Sequence, residues 1–194
     1  MRLETERLIV RSLAAGDLQP IHRILDEAFD GGARAADPAA LAERRSWLAW
    51  TRLAEEWLGK LHQPPYGERG VALKATGELI GAVGYVPCLN AFGQIPALRS
   101  AGPGGGNTPE VGLFWATAPS YQGRGYATEA AQALIAYAFE ELNLRRIVAT
   151  TEYDNAASQG VMRRLGMQVL RNPLPEPPWL QVVGVLQNPK FKEI

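Results

Sequence analysis

Gln122-Gly123-Arg124-Gly125-Tyr126-Ala127 lies between an apolar run ending near Ala116 and an amphipathic segment that begins near Thr128. Neither glycine carries a Cβ, so the backbone here can turn tightly and come close to a ligand. The helix predicted from Thr128 opens with amides that lack intrahelical acceptors and with a dipole worth about +0.5 charge. A turn feeding such a helix is a phosphate cradle. The residues after the glycines narrow the ligand. A Walker-type loop needs Lys-Ser/Thr after its last glycine, and none follows Gly125. A dinucleotide loop needs a third Gly or Ala and an acid about 20 residues further on. Thr128 takes that third position, while Glu140 and Glu141 come too early and fall inside the helical pattern.

A chain of 194 residues suits one domain, here 1–194, with a workable core. Its 20 basic and 20 acidic residues cancel, which argues against a broad face for nucleic acid. Cys88 is the single cysteine, so no intrachain disulfide is expected and a reducing compartment fits. The charged start, Met1 to Arg7, does not read as a signal peptide, and no apolar run approaches the roughly 18 residues of a membrane span. These features describe a soluble, cytoplasmic domain without a membrane partner.

Leu8-Ile9-Val10 reads as an opening strand, after which Asp17 can cap a helix through Phe29. Residues 38–61 carry apolar side chains at three- and four-residue steps, a helical period. Trp47, Trp50 and Trp57 on that helix either line a ligand cleft or pack in a core or interface. Val71–Lys74 and Glu78–Val86 form two strands joined at Thr76-Gly77. The Gly/Pro-rich segment 89–109 is either functional or disordered. Glu110–Ala116 predicts a buried strand, Thr128–Leu142 a helix and Arg146–Thr151 another strand. Asn155 caps a helix ending at Leu165-Gly166, and Met167–Leu170 and Leu180–Leu186 close the chain as strands. His22 and His62 lack companion ligands at metal spacing, so no metal site is expected.

This order, together with four local motifs, resembles the GNAT superfamily of N-acetyltransferases, and within it the RimJ/RimL-like branch. Thr5-Glu6-Arg7-Leu8-Ile9-Val10-Arg11 resembles the branch's opening strand. Glu110-Val111-Gly112 resembles the start of the family's fourth strand. The stretch Tyr121–Ala130 resembles its coenzyme A diphosphate loop, whose pattern is Q-x-x-G-x-A. Asp154–Ser158 with Val161–Met167 resembles its next helix and turn. The resemblance covers essentially the whole chain. It implies an α/β (α+β) fold: one domain with a mixed, mostly antiparallel twisted sheet, splayed fourth and fifth strands, and about four helices on both faces. It also implies acetyl-CoA as cosubstrate. The diphosphate would rest on Gln122, Gly123, Arg124, Gly125, Tyr126, Ala127 and Thr128. The pantetheine arm would pair with backbone at Phe114, Trp115 and Ala116, and with Asn155 and Ser158. Asn155 can equally be a plain helix cap, and both roles are compatible; the Arg124 side chain reaches a phosphate or lies in solvent.

The implied reaction is direct attack of a primary amine on the thioester. At pH 7 the neutral amine costs about 1.4 kcal/mol for an α-amino group and about 4.6 kcal/mol for lysine. A weak amine therefore needs little help from a base. Glu110 is the candidate base, against a surface carboxylate with no catalytic duty, and Glu152 is the reserve. The family's usual tyrosine acid is replaced by Met162, leaving Tyr153 nearby and Ser158 as the hydroxyl candidate; Ser158 can also simply pack or bond locally. Cys88 reads as a small packed residue. The acceptor is an amine, either a small molecule or a protein N-terminus, and homodimerisation fits the branch. The alternatives are a non-catalytic acyl-CoA-binding module of the same fold and, more distantly, a nucleotide binder.

Overall fold

Ile21, Ile24 and Leu25 stand three and four residues apart, so one face of their helix turns inward and is buried. In the computed structural model, which describes residues 1–99 and 106–191, that helix is α1, Leu18–Asp30. Its end is set by Gly31, whose φ of 63° allows its N–H to bond the Asp26 carbonyl. The second helix, α2, spans Pro38–Lys60; Asp37 caps it by accepting from the Ala39 amide at 2.9 Å, and Pro38 supplies a preset φ. Two further helices, α3 (Tyr126–Glu140) and α4 (Ala156–Arg164), complete the set.

Eight strands make up one mixed sheet: β1 (Arg2–Glu4), β2 (Leu8–Arg11), β3 (Gly67–Leu73), β4 (Leu79–Asn90), β5 (Thr108–Thr117), β6 (Arg146–Thr151), β7 (Gln168–Arg171) and β8 (Val182–Gln187). They are ordered β1-β2-β3-β4-β5-β6-β8-β7. The ladders β1/β2, β2/β3, β3/β4, β6/β8 and β7/β8 are antiparallel. β5 and β6 run parallel and are in register at Gly112↔Val148, the single such position among the described residues. The predicted elements are recovered, with two differences. β1 is an added strand at the start, and Asp17 does not cap α1 with its side chain. Instead its carboxylate accepts from the Ala14 amide at 2.7 Å and pairs with Arg11 at 2.6 Å.

The chain divides into two compact units, with β4 and β5 contributing to each. The first contains Met1–Tyr85 and Phe114–Leu134. Its core gathers Leu13, Ile21, Ile24, Leu48, Ala82 and Ala116 with their neighbours. Trp47 packs against that core, whereas Trp50 and Trp57 are 60% and 50% exposed. The three tryptophans thus form no common buried wall: Trp47 turns into the core, while Trp50 and Trp57 stay exposed on the same helix.

The second unit holds the described residues of Val86–Leu113 and Ile135–Ile194. Phe92, Ile95, Val148, Leu180, Val183 and Val185 form its core. The segment 89–109 is therefore not a bare loop as far as residue 99. It makes two short 3-10 turns, Phe92–Gln94 and Pro96–Leu98, and Asn172 ties them down by donating to Gln94 Oε1 at 2.7 Å. The expectation for 100–105 lies outside the described residues.

Candidate functional site

In the first unit, β5 leads through a 3-10 turn, Pro119–Tyr121, into the two glycines and then α3. Gly123 and Gly125 adopt φ of 74° and 81°, a region that side chains with a Cβ avoid. Gln122 to Gly125 are exposed. The Glu129 amide donates to the Gly125 carbonyl at 3.0 Å, so α3 opens directly at the second glycine. The Gln122 side chain donates to the Thr117 carbonyl at 3.0 Å, fixing the turn's entry. Arg124 lies 5.5 Å over the Tyr121 ring, which holds the guanidinium beside the loop. Tyr126, Ala127 and Thr128 are half-buried in the first turn of α3. Upstream, Ala118 donates to the Ile80 carbonyl at 2.9 Å, while Phe114, Trp115 and Ala116 pass along β5 just before it.

A clamp the sequence did not reveal holds this turn in place. The Glu129 carboxylate accepts from the Thr5 hydroxyl at 2.5 Å, the Arg7 amide at 2.9 Å and the Arg7 side chain at 2.6 Å. Arg7 also donates to the Arg124 carbonyl at 3.1 Å and stacks 4.5 Å over Tyr126. Burial alone would raise the Glu129 carboxyl; the bonds from Thr5 and Arg7 outweigh it and hold the group below the ordinary glutamate range. Glu129 is thus structural, as its place in a first helical turn suggests. Arg7 and Glu129 stand 122 residues apart, a pairing no local pattern encodes.

In the second unit, Asn155 caps α4: its side chain accepts from the Ser158 amide at 3.0 Å. Ser158 is half-buried beside it. Glu110 sits at the start of β5 with its side chain 8% exposed, and both of its oxygens accept from Arg146 at the start of β6. That pairing raises the Arg146 guanidinium further. Glu152 is exposed. Met162 is fully buried, and a Cβ on Gly184 of β8 would come within 3.1 Å of its side chain. The family's tyrosine position is therefore a packing position in this chain. The Tyr153 hydroxyl is committed elsewhere, donating at 2.5 Å to the Asn172 carbonyl. Cys88 is half-buried and packs against the core; burial, then the charge of Glu110, pushes its thiol up, which disfavours a nucleophilic thiolate.

Among the described residues no helix is long and apolar enough to cross a membrane. The pattern described as an acetyltransferase (GNAT) domain matches residues 7–168. The chain is 48% identical over 64 residues to the uncharacterized N-acetyltransferase YnaD of Bacillus subtilis (strain 168); the match covers 33% of this chain and 36% of that relative, so little more than a third of the curated protein is spanned. Its fold is similar to that of an acetyltransferase from Agrobacterium tumefaciens strain C58, with 27% identity, a TM-score of 0.66 and coverage of 96% and 94%. It is also similar in fold to RimL, the ribosomal L7/L12 alpha-N-protein acetyltransferase solved with coenzyme A, with a TM-score of 0.63, 15% identity and coverage of 96% and 98%. An exposed glycine turn at the head of α3, the strand β5 that feeds it, and a family match across most of the chain agree: this protein belongs to the GNAT acetyltransferase family.

Proposed function

We propose that the protein, as a RimJ/RimL-like enzyme, transfers an acetyl group from acetyl-CoA to a primary amine, either a protein N-terminus or a small-molecule amine. The observation that carries this reading is the exposed turn with two glycines at positive φ at the head of α3. Its donor set suits a diphosphate: neutral amides, a helix dipole, and Arg124 beside them. Gln122 to Thr128 would hold the diphosphate. The backbone at Phe114, Trp115 and Ala116, with Asn155 and Ser158, would hold the pantetheine arm. When bound, the thioester supplies the activated acetyl group. A reaction drawing on acetyl-CoA fits a cytoplasmic protein.

What the residues must then do is modest. The amine nitrogen forms the new C–N bond as the C–S bond breaks; its proton leaves to solvent or a carboxylate, and the thiolate takes one up. Glu110 is the proposed proton acceptor, working through water. Its bonds to Arg146 leave carboxylate lone pairs open to a water. A weak base suffices for an α-amine, whose deprotonation costs only about 1.4 kcal/mol at pH 7. Lysine, at about 4.6 kcal/mol, would be served poorly. Ser158 remains the proposed hydroxyl for the departing thiolate.

The test measures free thiol release with acetyl-CoA and a panel of peptides and small amines. Turnover faster on free α-amines than on lysine side chains supports the proposal, and a Glu110→Gln variant should lose at least tenfold in kcat. Tight coenzyme A binding with no turnover on any amine would leave the chain an acyl-CoA-binding module.

A further inference from the structure

A helix at a protein surface normally shows water a polar face. The helix α2 does not. Its inner side is buried through Ala40, Leu48 and Thr51, with Trp47 packed on the core. Its outer side carries Trp50, Leu53, Trp57 and Leu61, each between 50% and 60% exposed. At about 100° per residue these four fall within an arc of about 80°, so they form one stripe along the second half of the helix. Single exposed apolar residues are ordinary, but four neighbours on one face mark an interaction surface.

Charge and shape select the occupant. Glu56 and Lys60, the charges bordering the C-terminal half of the stripe, already pair at 2.7 Å, and Lys60 also stacks 4.5 Å over Trp57. That neutral border offers no hold to a strongly charged partner or an anionic membrane. Large and small side chains alternate along the stripe. Turned end for end about a two-fold axis, a second stripe sets Trp50 opposite the partner's Leu61 and Leu53 opposite the partner's Trp57, so each ring meets a smaller side chain. The four side chains expose on the order of 400 Å² per chain, so two stripes cover about 800 Å² before their polar rim is counted, close to the roughly 1,000 Å² of a specific interface. We propose that this face of α2 binds the same face of a second copy of the chain, giving an antiparallel, two-fold homodimer. The pairing requires neither the cofactor nor the acceptor.

Sedimentation velocity of the full chain over a range of concentrations tests this. A monomer–dimer equilibrium in the micromolar range is expected, with tryptophan emission shifting to the blue as dimer forms. Leu53→Glu and Trp57→Lys should each weaken dimerisation at least tenfold, with circular dichroism and melting temperature checking the fold. Mixed in equal amounts, the two variants should dimerise again. The new carboxylate and ammonium then face each other on one side of the axis, while Leu53 and Trp57 meet as before on the other, a gain that misfolding cannot produce. The inference is overturned if the chain stays monomeric at hundreds of micromolar, if dimer persists undiminished in both variants, or if the mixture associates no better than either variant alone. A monomer that binds phosphatidylcholine vesicles through the stripe, and loses them in Trp57→Lys, would equally overturn it.

Discussion

At the scale of single residues, two positions show how a side chain's surroundings set its role. Met162 occupies the place of the family's tyrosine acid, yet it is fully buried and lies close to Gly184 on β8. Met162→Tyr should therefore restore no activity and should overpack the core, costing about 1–3 kcal/mol in urea unfolding. Glu110 was legible as an acid at the mouth of a strand, but its partner was not. Arg146 lies 36 residues away and meets it because β5 and β6 run parallel there. Arg146→Met removes the side chain that holds both Glu110 oxygens and, if Glu110 accepts the proton, should lower kcat severalfold by leaving the carboxylate unpositioned. An unchanged kcat would remove Glu110 from the chemistry.

Among the elements, the heads of α3 and α4 carry the cofactor proposal, and they differ in how much the sequence disclosed. The α4 cap was readable because Asn155 and Ser158 are three residues apart, within reach of one side chain. Asn155→Ala should cost about 1 kcal/mol of stability, whereas Asn155→Asp should keep the cap and the stability. Coenzyme A affinity falling in both variants separates a ligand role from a purely structural one; affinity unchanged in the aspartate variant would make Asn155 a cap alone. The glycines of the α3 turn were readable because the local conformation demands them. The Thr5–Arg7–Glu129 clamp behind the turn was not, since it joins distant parts of the chain. Arg7→Ala should loosen the turn and weaken coenzyme A binding about fivefold in calorimetry, the equivalent of roughly 1 kcal/mol.

For the whole molecule, stability and ligand binding provide the tests. The Arg11 hydrogen bond, against an opposing effect of burial, holds the Asp17 carboxyl below its ordinary value. A group depressed in the folded state adds stability above its unfolded pKa of about 3.9, and that stability is lost as pH falls through the lower folded value. Asp17→Asn should accordingly flatten the decline of the melting temperature below about pH 4 while changing its shape little near neutrality. The order of elements was legible from periodicity and turn residues. The burial of Phe92 and Ile95 was not, because their segment reads as Gly/Pro-rich loop until residues from β6 and β8 are seen to cover it. The central claim is that the 122–127 turn grips a diphosphate, and calorimetry of the full chain with coenzyme A, pantetheine, NAD and ATP tests it most directly. The account predicts that coenzyme A binds most tightly, that pantetheine lacking the diphosphate binds far more weakly, and that Gly125→Val abolishes the difference between them. Equal affinity for coenzyme A and pantetheine, or a preference for NAD or ATP, would contradict it.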